Sequence, residues 1–536
     1  MPPAFSGGHL KYYFGKTLNE VETGGSYAML MTKKIFSVLL AVFFLFSFIA
    51  CASDTENGTD SGNQTTAADT TAPTEGTTVF YEEDSLPAGL NFGGQKVVIL
   101  SESEYNPSGV KDVLPEITVE ELTSDVINDS IFNRELFVEN RLGVEIENYQ
   151  VNIALINDEI NKQYNSHDDT YDIFVHSGYE LANYVFNGFL MDLYEVEHLD
   201  FSKPWWSDKF TEAAEIDGSL YEITGSLSLT LTRYLYAIFY NKTLAENYSD
   251  AVPELSNLYE IVKSGDWTFD KYVALGGDIY NDVNGDTIYD LEDEYGIFYP
   301  AYQPINCIWS CFDIGVLNRT EDGWFELDVN TDKLYAGFEK LYNLLYNTKG
   351  SFTAGGAEYV EYGGADYFAN GNILFHLERL GAAEWPVLRN MQDDYGILPF
   401  PKFDEIQKEY YSYALDRYSA FSIPNTNDEA DIAGAVLEAM ASYSYRETEP
   451  AFLDLALKGK YMTDGASRHM VDMVVDGFTT DAVMIYRDTL GKNYLDEFIS
   501  VIRDKETSFA STHEKSSKIV KIALKIYRET YNKANP

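Results

Sequence analysis

The sequence predicts an α/β fold built by alternation of buried strands and amphipathic helices. Three observations carry this. Lys96 to Leu100 holds a continuous apolar run, as a parallel strand covered on both faces requires. Ile127, Ile131, Val138 and Leu142 recur at helical spacing, so one face of the segment from about Ser124 to Leu142 is apolar. Ile173-Phe174-Val175 is a second buried-strand signal, broken at once by Ser177-Gly178.

In order along the chain, the body begins near Asn91 with the strand around Val97. The helix to Leu142 stops at Gly143, and Val144-Glu145-Ile146-Glu147 alternates as a strand does. A helix from about Ala154 to Gln163 leads into Tyr171-Asp-Ile-Phe-Val. Strand, helix, strand, helix, strand is a doubly wound lobe. Polar loops at the carboxyl ends of such strands are where α/β sheets hold ligands, which singles out Ser177 as one wall of a cleft. Asp217-Gly218-Ser219 marks a hairpin turn, and Tyr234 to Tyr240 reads as a further apolar strand.

Composition narrows the partners. The chain has 536 residues with 45% hydrophobic, enough for two or three domains with a proper core. A formal charge of -48 argues against nucleic acid or an anionic membrane surface as partner. The 41 tyrosines supply rings with polar tips, suited to faces that bind sugars or peptides.

The N-terminal region is read as an address. Lys33-Lys34 precede an apolar run from Ile35 to Ala50, too short to span a bilayer comfortably, and Cys51 follows. Phe48-Ile49-Ala50-Cys51 resembles a bacterial lipobox, which implies lipidation of Cys51 and an anchor on the outer face of the cell membrane. Phe48 stands where that pattern usually has Leu. Residues 1–30 are then an upstream extension and 31–50 the signal peptide. Residues 51–90 form a linker; Ala52 to Thr78 lacks large apolar residues and as coil spans roughly 30 Å. Beyond Cys51 only Cys307 and Cys311 occur. The expectation is two free buried thiols, with a disulfide left to the geometry.

Several pieces, taken together, resemble the extracellular solute-binding proteins of carbohydrate ABC importers, the maltose-binding-protein group. They are Tyr171-Asp-Ile-Phe-Val, Phe189-Leu-Met-Asp-Leu, Asp217-Gly-Ser-Leu-Tyr, Phe239-Tyr-Asn-Lys and Gly265-Asp-Trp-Thr-Phe-Asp. Further on come Phe368-Ala-Asn-Gly-Asn-Ile-Leu-Phe, Asp394-Tyr-Gly-Ile-Leu-Pro-Phe-Pro-Lys and Ser422-Ile-Pro-Asn-Thr. The resemblance covers about residues 94–490. It implies a two-lobed periplasmic-binding-protein-like fold of class II type, its lobes joined by hinge strands. Lobe 1 is expected at 91–222 and 416–460, and lobe 2 at 223–415 and 461–536. The crossings fall near Ile223-Thr224-Gly225 and Ala414 to Ser419. The implied protein is a non-enzymatic monomer that closes over a carbohydrate, an oligosaccharide by preference, and docks on a permease.

Sugar recognition needs aromatic faces beside carboxylates and hydroxyls. On that chemistry the candidates are Ser177, Trp205, Trp206, Asp208, Trp309, Asp313, Glu378 and Tyr418. Trp309 and Asp313 lie four apart, on one face if helical. Asp282, Asn284, Asp286, Ile288, Asp290 and Asp293 occupy positions 1, 3, 5, 7, 9 and 12 of a loop resembling the calcium loop of EF-hands, which would brace lobe 2. It departs from that pattern at Thr287, where Gly is expected, and at Asp293, where Glu is. The other reading is a solvated acidic loop. No cofactor other than calcium is expected. On the C-terminal helix Lys515, Lys518, Lys521, Lys525 and Arg528 accompany a row of Ile519, Ile522 and Ile526, read as docking on the acidic body or as a solvated face. Two rival functions stand beside the binder: a secreted glycan-active enzyme, which turnover would reveal, and a sensor or adhesin on the same fold.

Overall fold

The computed structural model describes residues 83–103, 116–354, 364–457 and 465–535. The upstream extension, the signal, Cys51 and most of the linker lie outside them. Among the described residues no helix is long and apolar enough to cross a membrane.

The first lobe is wound as the alternation requires. Strand β1 (Gln95–Glu102) leads to helix α1 (Val126–Leu142), strand β2 (Val144–Val151), helix α2 (Ile153–Ser166), strand β3 (Ile173–Ser177) and helix α3 (Gly178–Val185). Local chemistry sets the helix ends. The Asp125 carboxylate accepts from the N–H groups of Ile127 and Asn128, and Gly143 leaves α1 with a left-handed φ of 61°. Strand β1 pairs parallel with β2 on one side, Val97 opposite Ile146, and with β3 on the other, Ile99 opposite Ile173. The buried side of α1 carries Ile127, Ile131, Val138 and Leu142, and also Arg134. That guanidinium donates to the Ser444 hydroxyl at 2.8 Å and to the carbonyls of Ile117 (2.9 Å) and Glu116. Helix α4 (Asp208–Ala214) starts from a Ser207 cap.

The second lobe holds a mixed sheet. Its strands are β4 (Tyr236–Asn241), β5 (Tyr280–Asn281), β6 (Glu294–Phe298), β9 (Ser351–Phe352), β10 (Ile373–Arg379) and β11 (Tyr395–Leu398). The order is β11-β4-β10-β6-β5, with β9 also on β6. Strand β4 runs antiparallel to both its neighbours, whereas β10 and β6 are parallel. A separate hairpin of β7 (Leu317–Arg319) and β8 (Phe325–Leu327) precedes helix α5 (Thr331–Asn347).

The chain passes twice between the sheets. The returning strand β12 (Ser419–Ser422) adds to the first sheet antiparallel to β3, Ser419 opposite Ser177, giving the order β12-β3-β1-β2. The two passages lie side by side: Ile223 pairs with Phe421, Leu235 pairs with Ala414, and the Thr224 hydroxyl donates to the Ser419 carbonyl at 2.8 Å. The intervening stretch 223–235 is buried throughout, serine and threonine included. After β12, helix α6 (Ala430–Tyr443) packs on α1, and helices α7 (Gly465–Asp476), α8 (Ala482–Ile485), α9 (Lys492–Arg503) and α10 (Ala510–Ala534) complete the chain.

Candidate functional site

Helix α3 begins directly where β3 ends, so Ser177-Gly178-Tyr179 turn from sheet to helix without a loop. This corner meets the second passage: the Gly178 N–H donates to the Tyr418 carbonyl at 3.3 Å. On the far side, Ser412 holds the segment after α7. Its N–H donates to the Gly477 carbonyl at 2.7 Å and its carbonyl accepts from Thr479 at 3.1 Å. Three distant stretches thereby converge. Tyr179, Tyr413, Asp416, Tyr418, Phe478, Thr479, Thr480 and Met484 are among the residues around one small cavity of about 10 Å³, room for a single water.

Aromatic edges dominate its walls. The Tyr418 ring stands edge-on to Phe478 at 6.0 Å and to Phe210 at 6.1 Å, and Tyr413 stacks parallel on Tyr236 at 5.9 Å. Burial pushes the Tyr413 and Tyr418 phenols well up, so both stay neutral hydroxyls. The charged part centres on Arg487. Arg487 binds Asp416, reaches Asp496 at 3.5 Å, and lays its guanidinium over the Tyr179 ring at 5.1 Å. Behind Tyr418 lies Glu222, fully buried, with no hydrogen-bond partner for either oxygen among the described residues. Burial drives its carboxyl far above the ordinary carboxylate range. Chemically the place offers ring faces, phenolic and threonine hydroxyls, and a carboxylate braced by arginine.

Of the sequence candidates, Ser177 and Tyr418 meet here: Ser177 pairs with Ser419, the residue after Tyr418, and Tyr418 lines the cavity. The others go elsewhere. Trp205 and Trp206 are core residues of the first lobe: the Trp205 carbonyl accepts from Ser226 at 2.9 Å, and the Trp206 indole donates to Glu438 at 3.0 Å. Asp208 is exposed at the start of α4. Trp309 is sealed against Tyr494 and Phe498, whereas Asp313 is exposed and faces Lys333 at 3.6 Å. The expected shared face fails because the helix ends at Cys311 and Asp313 turns left-handed, φ 52°. Glu378 is buried and accepts from its neighbour Arg379 at 2.9 Å, while Arg379 spreads over Tyr234 and Trp385. Tyr179, Tyr413, Asp416 and the 478–485 segment are not among the sequence candidates, although Tyr179 lies two residues beyond Ser177 at the strand's end and Asp416 falls in the crossing at Ala414 to Ser419.

The acidic loop 282–293 is turned on itself. Asp282 accepts from the N–H groups of Gly285 (2.7 Å) and Thr287 (3.0 Å), Asp286 from Ile288 (2.7 Å), and Asp290 from Glu292 (2.9 Å). Asp293 is buried and accepts from the Tyr280 hydroxyl at 2.9 Å. Among the described residues no group of three or more His, Cys, Asp or Glu is placed to hold a metal ion. Cys307 and Cys311 are free and buried one helical turn apart.

Solved structures share this architecture. The sugar-binding protein MalE of the phytopathogen Xanthomonas citri superposes with a TM-score of 0.52 at 11% identity, over 82% of this chain and 99% of its own. The GacH receptor of Streptomyces glaucescens, solved unliganded and with acarbose, gives 0.50 at 11% identity, over 81% and 99%. The fold is thus the two-lobed solute-binding one. No protein-family model matches the chain, and no curated protein matches its sequence.

Proposed function

We propose that this chain is a solute-binding protein that captures a carbohydrate, an oligosaccharide by preference, between its lobes and delivers it to an ABC importer. Lipidated Cys51 would hold it on the outer face of the membrane. The supporting observation is the cavity itself. It sits at the carboxyl end of β3, beside the passage between lobes, and tyrosine rings and hydroxyls surround it. Fold likeness to proteins whose own ligands are sugars agrees with that chemistry. The cavity is far smaller than a pyranose. Entry therefore requires the lobes to swing apart about the passages at 223–225 and 414–419, and the ligand to select the closed form. Binding alone performs this role, without turnover.

The test is calorimetry against a panel of mono- and oligosaccharides, with reducing-end analysis of the same mixtures. One glycan class is expected to bind saturably and emerge unchanged. Tyr418→Ala is expected to weaken that binding at least tenfold, through loss of a stacking face. Released reducing ends, or an affinity indifferent to Tyr418, would refute the proposal.

A further inference from the structure

Helix α10 is two-faced in an unusual way for a chain so acidic. Ser516, Val520, Leu524 and Tyr531 pack inward. The opposite side bears Ile519, Ile522 and Ile526, exposed by 38%, 60% and 55%. These three lie at spacings of three and four, on one face. Lys515, Lys518 and Lys525 project into solvent on and around the same face. The helix carries Lys515, Lys518, Lys521, Lys525, Arg528 and Lys533 against only Glu514 and Glu529. Arg528 pairs with Asp322 of the body, and Lys518 pairs with Glu514 along the helix at 2.8 Å. Such an outward row of branched aliphatics between lysines leaves apolar surface uncovered by the described residues.

We infer that this face of α10 lies on an anionic phospholipid bilayer, its isoleucines entering the headgroup boundary and its lysines meeting the phosphates. An exposed helix of apolar and basic side chains is the pattern of an interfacial helix. The chemistry favours a bilayer over a soluble polyanion, because the isoleucine row needs an apolar phase and phosphate alone supplies none. The whole-chain charge of -48 opposes approach at long range. At physiological ionic strength, however, charges farther than about 8 Å are screened, so the local basic surface decides contact. The consequence is orientation. The body would rest on the membrane on its C-terminal helix rather than tumble at the end of a tether.

The experiment places an environment-sensitive fluorophore on the full chain, with Cys51→Ser and Ile522→Cys; Cys307 and Cys311 are buried and stay unlabelled. A second chain carries the label at Ile406→Cys, 86% exposed in the second lobe, so that any N-terminal attachment is common to both. Vesicles are phosphatidylglycerol with phosphatidylcholine, or phosphatidylcholine alone. The label at 522 is expected to shift blue and brighten at least twofold on the anionic vesicles only. The response should reverse in about 1 M salt and fall in Lys518→Glu/Lys525→Glu. The label at 406 should not respond. No response at 522, an equal response at 406, an equal response on neutral vesicles, or a concentration-dependent shift without lipid would each overturn the inference.

Discussion

Glu438 makes the sharpest demand on the structure. It sits in α6 in the core of the first lobe, fully buried, where its Oε2 accepts from the Trp206 indole at 3.0 Å and from the Asp200 N–H at 3.4 Å. Its other oxygen has no partner among the described residues. Burial dominates these hydrogen bonds and pushes the carboxyl up to about 7, from an ordinary 4.5. A raised acid binds its proton more tightly in the folded state. Its stabilising contribution is complete below about pH 4.5 and is lost as pH rises through about 7, with no further loss above. Raising the carboxyl from 4.5 to about 7 corresponds to a loss on the order of 3 kcal/mol across that window. Glu438→Gln keeps an acceptor for Trp206 but cannot ionise. Urea unfolding followed by tryptophan fluorescence from pH 4 to 9 gives the difference between the two proteins. That difference should move by about 3 kcal/mol in favour of the glutamine variant between pH 4.5 and 8, then level off. A flat difference curve would refute the reasoning, because it would mean that the carboxyl ionises equally well folded and unfolded.

Other consequences are as concrete. A Cβ at Gly225 would stand 2.1 Å from the Trp205 carbonyl oxygen, backbone against backbone, so Gly225→Ala should cost about 3 kcal/mol or more, seen as a lowered urea midpoint. Arg134→Met would leave the Glu116 and Ile117 carbonyls and the Ser444 hydroxyl buried without their donor; a loss of about 3 kcal/mol is expected, with Arg134→Lys restoring only part of it. A thermal midpoint unchanged by calcium would leave Asp282, Asp286 and Asp290 to the loop's own backbone. A saturable rise abolished by Asp282→Ala would instead put an ion in the loop.

What the sequence determined by itself was local. The Val97 to Leu100 and Ile173 to Val175 runs became strands of the first sheet because nearest-neighbour patterning sets strand and helix alike. Asp125 and Gly143 bound α1 through bonds and dihedrals within a few residues. Winding order followed, because parallel crossovers have one hand. Tertiary structure alone decided the rest. Antiparallel β12 and β4 depend on where a distant chain segment returns, which no local pattern encodes. The same holds for the rings: Trp205, Trp206 and Trp309 read alike as sugar-stacking faces or core, and only packing showed all three to be buried. The cavity joins residues 179, 413–418 and 478–485, brought together across some 300 positions by sheet pairing and side-chain packing. A site made by long-range convergence leaves no spacing in the chain, whereas a strand or a cap does.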